Sequence, residues 1–214
     1  LCRRTFDKKT RPKTKDHVIP DGWFNDKAPD NLPTWPACLD CQRDLEPRED
    51  ALRSLFAAGH SHHPEELTSV YAKAARSTRQ PVPIGRKPVL HPNGLWVMAD
   101  VAAPNQEDLD VVFRKIATGL YWYREHQLPP EDRWVVRLMS SPDHAKWTNI
   151  LRPSYEVQHL GPECWWMSAH NRDEKNWNVW LFVIFGAVPV GVFRGDALDF
   201  AIPQPSGVCL RNSL

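Results

Sequence analysis

The chain lacks any apolar run approaching the length of about 18 residues that a membrane-spanning helix needs, so no membrane partner is expected. No apolar stretch follows the basic start, so no secretory leader is expected either. Cysteine is scarce. Five in 214 residues, unevenly placed, are too few for a secreted disulfide scaffold, and a reducing cytoplasm is the expected location. Neither sign of charge dominates, yet the net +1 averages over a local excess. Arg3, Arg4, Lys8, Lys9, Arg11, Lys13 and Lys15 are opposed before Asp16 only by Asp7, and a segment of this kind can meet phosphates. There is no internal repeat. What is present, 42% hydrophobic and 25% charged residues, is ordinary for a globular chain. The length suits a small metal-stapled module followed by a larger domain with its own core.

Three stretches differ in character. Residues 1–47 are rich in Pro, Asp, Lys and Cys and poor in aliphatics, so a metal is expected to supply the missing stabilisation. Residues 48–80 read as a connector with two short helices. Leu52, Leu55 and Phe56 form one apolar stripe, Gly59 makes a break, and Leu67, Val70 and Tyr71 form a second stripe. From residue 81 a C-terminal α+β domain is expected. Residues 80–92 carry Pro81, Pro83, Pro88, Pro92 and Gly85 and read as a semi-rigid connection. A strand over 95–101 follows. Asn105 then caps a helix whose apolar positions are Leu109, Val112, Phe113, Ile116 and Leu120. Strands over 134–139, 164–169, 179–185 and 188–193 complete an antiparallel sheet packed on that helix. Trp165, Trp166, Trp177 and Trp180 lie in those strands among aliphatics, which favours core positions over base stacking; Cys164 and Cys209 read as buried apolar residues. His60, His62 and His63 read as an exposed loop rather than a metal tract.

One string carries chemistry: Asp16-His17-Val18-Ile19-Pro20, then Asn31-Leu32-Pro33, then Cys38-Leu39-Asp40-Cys41-Gln42. A carboxylate binds a hard divalent cation, which polarises a phosphate oxygen and stabilises the leaving oxyanion. A neutral imidazole takes the proton of the attacking water. Adjacent strand residues point to opposite faces, so Asp16 and His17 share a site only where the strand ends or twists, an ending that Pro20 and Gly22 supply. Cys38 and Cys41 have the spacing of a zinc knuckle.

In this ordered combination residues 1–46 resemble an HNH, or ββα-metal, endonuclease module with structural zinc. The resemblance implies that His17 is the general base and that Asn31 orients it. Asp16 and a residue early in the helix hold the catalytic Mg²⁺ or Mn²⁺. Where the family usually has Asn or His the chain has Gln42, and Glu46, one turn on, is the alternative ligand. The implied structural zinc takes Cys2, Cys38 and Cys41. Arg11, Lys13 and Lys15 are the expected nucleic-acid contacts, with DNA favoured over RNA. The C-terminal domain is left to select substrate, to bind a protein partner or a second copy of the chain, or to control the nuclease. Two other readings stand beside this one: a nucleic-acid-binding module of the same fold without catalysis, and a zinc interaction module attached to a sensor domain.

Overall fold

The computed structural model describes residues 13–24, 28–59, 84–90, 96–102, 104–130, 133–151, 155–159, 164–171, 177–185 and 188–195. Cys2, Arg11, the histidines at 60–63, the stripe at Leu67, Val70 and Tyr71, and Cys209 lie outside the described residues, as do the side chains of Lys13 and Trp165.

Strand β1 (Lys13–His17) pairs antiparallel with β2 (Thr34–Cys38), Asp16 opposite Trp35 and His17 opposite Thr34. Just beyond β1, the N–H of Val18 still donates to the carbonyl of Pro33 at 2.8 Å, after which Pro20 leads into a 3₁₀ turn over Asp21–Trp23. β2 runs directly into helix α1 (Leu39–Gly59). That helix begins nine residues before the expected start at Arg48 and passes through Pro47. Its first turns carry no apolar stripe, because residues 39–47 are exposed or half-exposed, so periodicity could not reveal them. Pro47 deprives the Arg43 carbonyl of its donor, and both residues are exposed, where water can replace it.

The proline-rich stretch is also more than a connection. β3 (Ile84–Leu90) pairs antiparallel with β4 (Trp96–Ala102), with Pro88 opposite Met98. A two-stranded sheet has only edges, the setting in which a strand tolerates proline.

Helix α2 (Gln106–Glu125) follows the reading from sequence. The Asn105 side chain accepts the Glu107 N–H at 3.0 Å, and Leu109, Val112, Phe113, Ile116 and Leu120 are all buried. His126 ends the helix in the left-handed region at φ 53°.

Beyond it come β5 (Trp134–Leu138), α3 (Ser141–Leu151), β6 (Tyr155–His159), β7 (Cys164–Asn171), β8 (Trp177–Ile184) and β9 (Val188–Arg194). The five strands form an antiparallel sheet in the order β5-β9-β8-β7-β6. The fold is mixed α+β with antiparallel sheets. Neither α3 nor β6 is evident in the sequence; α3 buries chiefly Trp147 and Leu151, four residues apart. No described helix is long and apolar enough to cross a membrane.

Alternation along β8 shows how the layers stack. Trp180, Phe182 and Ile184 face α2, while Val179 and Leu181 face Trp147 and Leu151 of α3. Trp166 and Trp180 are buried core residues, and Trp180 stacks on Trp134 at 5.8 Å.

The larger apolar cluster does not stop at the N-terminal segment. Val18, Ile19, Trp23, Phe24, Leu32 and Trp35 pack with Leu52, Leu55 and Phe56 and with α2, which in turn lies on the sheet. A ladder of rings marks the path: Trp23 meets Phe113 at 5.8 Å, and Phe113 meets Phe182 at 5.4 Å. The described apolar residues from Val18 to Phe56 therefore obtain part of their burial from α2, at about 1.5–3 kcal/mol for each large side chain fully buried.

Contact is tight at Gly119 of α2, where an added Cβ would lie 2.9 Å from both Cγ atoms of Val18. Gly119→Val is expected to lower stability by about 1–3 kcal/mol, the usual cost of overpacking. Val18→Ala in the same chain is expected to recover part of that loss. Chemical denaturation of wild type, both single variants and the double variant measures the coupling; strictly additive losses would contradict the contact.

Candidate functional site

The junction of β2 and α1 is built by Cys38 and its neighbours. Cys38, buried at the end of the strand, accepts the N–H of Cys41 at its Sγ, 3.5 Å away. Neither residue is in a disulfide. An N–H to sulfur contact of this kind turns the chain so that a second thiol follows in the first helical turn, the arrangement a Cys-x-x-Cys zinc knuckle needs. The register sets Lys13 opposite Cys38. Among the described residues no group of three or more His, Cys, Asp or Glu could hold a metal ion, and Cys2 lies outside them.

Gln42 ties the helix to the hairpin. Its Oε1 accepts from the Thr14 hydroxyl at 3.0 Å, a proton shared with the Ala37 carbonyl at the same distance, and its Nε2 donates to the Lys15 carbonyl at 3.2 Å. The residue expected to ligate a cation thus serves first as a bracket. Glu46, one turn on, is exposed.

Asp16 and His17 take different partners. Asp16, 17% exposed, turns inward: its Oδ2 lies 2.9 Å from the Lys115 Nζ and accepts the Trp35 indole N–H at 3.5 Å. Lys115, only 1% exposed, also donates to Glu49 Oε1 at 2.7 Å. One ammonium on α2 therefore bridges a carboxylate on β1 and another on α1. At the adjoining end of α2, Arg48 reaches Asp108 at 2.6 Å and Glu107 at 2.8 Å.

His17, 40% exposed, has its Nδ1 3.9 Å from Asp21 Oδ2. That is too long for a hydrogen bond. Lys15 alternates onto the same exposed side as His17. The strand ends at His17, as expected, yet the two residues are not brought onto a shared face by the contacts they make.

Asn31 sits exposed in the turn before β2, where the Leu32 N–H donates to the Pro29 carbonyl at 3.0 Å; no hydrogen bond joins it to His17 among the described residues. Asp21 is the carboxylate beside the imidazole.

Two residues of the cluster, Glu49 and Lys115, escaped the sequence reading. A lysine inside the apolar stripe of α2 is itself a signal, since a buried ammonium must find a carboxylate. Glu49 lies seven residues from Gln42 and so on nearly the same helix face.

Burial raises the Glu49 pKa above its ordinary value of 4.5, outweighing the opposite pull of Lys115. A carboxyl raised on folding binds more protons in the native than in the unfolded state. Its stabilising share is therefore present below the unfolded value and lost as pH rises through the folded one. The stability of wild type relative to Glu49→Gln is expected to fall as pH rises from about 4.5. Thermal unfolding of both proteins across this range measures it, and a difference that grows with pH would contradict the assignment.

No family model, curated protein or solved structure matches this chain.

Proposed function

We propose that the β1–β2–α1 unit is a zinc-braced, metal-dependent nuclease module of the HNH kind that cleaves nucleic-acid phosphodiesters, DNA before RNA. The observation that carries the reading is the exposed imidazole of His17 at the end of β1, beside Asp21 and on the same side as Lys15, with a Cys-x-x-Cys turn opening the following helix.

His17 is the proton acceptor. Asp21 Oδ2, 3.9 Å from Nδ1, is the carboxylate placed to take the orienting part that the resemblance gives to Asn31. Lys15, with Lys13 and Arg11 preceding it, contacts phosphate.

The thiols of Cys38 and Cys41 suit zinc, with Cys2 as the third ligand. The resemblance gives Asp16 to the catalytic ion; its Oδ2 is held by the buried Lys115 ammonium on the face of β1 opposite His17, so an ion there would need Oδ1 and a turn of the strand end toward the imidazole. Glu46 suits the second place better than Gln42, whose oxygen already accepts from Thr14. When bound, a divalent ion supplies charge that stabilises the leaving oxygen.

A second reading, nucleic-acid binding without cleavage, draws on the Asp16–Lys115 pair, which commits the expected metal ligand to an ammonium.

Plasmid, single-stranded DNA and RNA incubated with and without Mg²⁺, Mn²⁺ or Ni²⁺ separate the two. Cleavage that needs the metal is expected, and His17→Ala is expected to slow it by about 10²–10⁴-fold with binding retained. A His17→Ala protein that cuts as fast as the parent would overturn the mechanism; binding without cutting in any metal would establish the second reading. Elemental analysis of the same preparations is expected to find one zinc per chain, reduced in Cys38→Ser.

A further inference from the structure

A group of buried polar atoms under α3, on the face of the sheet away from α2, belongs to no part of the site described above. Arg137 Nη2, His144 Nε2 and Thr148 Oγ1 are all shut off from solvent, and Arg137 Nη2 and Thr148 Oγ1 have no hydrogen-bond partner among the described residues. The strand pairing shows how they come together. Arg137 of β5 lies opposite Gly191 of β9, which brings no side chain to that face, and its guanidinium reaches over the ring of Phe193, 5.3 Å from the centroid. Trp147 of α3 packs on the same ring at 5.1 Å. His144 and Thr148 stand one turn apart on the side of α3 that carries Trp147 and Leu151 inward. The helix thus lowers an imidazole and a hydroxyl toward a guanidinium that already lies on Phe193.

Charge decides what such a group can take. Burial lowers the Arg137 pKa, outweighing the opposite pull of Asp143, so the surroundings do not fully compensate this cation. Asp143 is engaged at the start of the helix: its Oδ2 accepts the Ser140 hydroxyl at 2.6 Å, and Ser140 Oγ accepts the Asp143 N–H at 3.2 Å. Burial also lowers the His144 pKa, which keeps the ring neutral at pH 7 and able to offer an N–H. A buried cation with a hydroxyl and an imidazole beside it suits a ligand that is negative and carries several acceptor oxygens.

We propose that the interface beneath α3 binds a small oxyanion of the phosphate type, held by the Arg137 guanidinium with the Thr148 hydroxyl and the His144 imidazole, and that the bound anion clamps α3 to the sheet. The proposal needs neither His17 nor a metal and stands apart from the nuclease reading. The buried position suits a compact anion rather than a polynucleotide strand. Entry is through α3 itself, whose apolar hold is Trp147 and Leu151 in a small cluster with Val179, Leu181 and Phe193, separate from the larger core around α2. It can part from the sheet while that core stays closed.

Hydrogen exchange of the full chain, read by mass spectrometry at constant ionic strength, is followed as chloride is replaced by inorganic phosphate. An anion bound only beneath the closed helix suppresses its opening, so exchange in α3 is expected to slow about tenfold when phosphate reaches about ten times its dissociation constant, with α2 unchanged. Arg137→Met is expected to lose the effect and Thr148→Val to need several-fold more phosphate. Exchange in α3 that ignores phosphate overturns the site. So does a slowing that α2 shares equally, or one that Arg137→Met retains in full. Should Arg137→Met fail to fold by circular dichroism, Thr148→Val decides alone: α3 protected at the same phosphate concentration as in wild type overturns the proposal.

Discussion

The ammonium of Lys115 sits where β1, α1 and α2 meet, and a buried cation there has to be paired. Removing one partner of a buried ion pair commonly costs about 3–5 kcal/mol, because the other charge stays behind uncompensated. The pairing does more than hold three elements together. It determines which side of β1 faces inward: with Asp16 on Lys115, the period of two along the strand turns Lys15 and His17 toward solvent. A register slip of one residue would exchange the two sets, placing an imidazole against the ammonium and a carboxylate outside. The exposure of the candidate base thus follows from an ion pair made with a residue almost a hundred positions away.

Packing reinforces this constraint. Val18 and Ile19, immediately after His17, are fully buried, and the Val18 side chain fits over Gly119 of α2 where no larger residue has room. Trp23, from the turn that follows, begins the ring ladder through Phe113 to Phe182. The Asp16 pair on one side and this apolar block on the other leave the short stretch between them little freedom. Zinc at Cys38 and Cys41 would then brace the β2–α1 junction within a unit already docked, rather than fold it alone.

Local signals were legible in the sequence where local physics governs. The α2 helix announced itself through Asn105 and a continuous apolar stripe, and β8 and β9 through dense aliphatic and aromatic runs. The α1 start was hidden because residues 39–47 carry charge on all sides and a proline at 47, and are set in helix by the strand before them and the Gln42 bracket. β3 was masked by prolines that a two-stranded pairing tolerates, and α3 by an apolar face of little more than Trp147 and Leu151. At the site, the residue types and the knuckle spacing could be read directly. What could not be read were the pairings across long separations: Lys115 with Asp16 and Glu49, and Asp21 rather than Asn31 beside His17. Such contacts depend on how α2 docks, which no local pattern encodes.

All of this requires the N-terminal hairpin and the sheet domain to be one cooperative unit joined at α2. Native-state hydrogen exchange on the full chain reads this directly, through the opening free energies of amides in β1 and β2 against those in the middle of α2. The expected result is a common opening free energy for the inner hairpin amides, such as that of Val18, and the α2 amides around Lys115. A hairpin that opens at much lower free energy while α2 stays protected would show that it folds apart, and would contradict the account.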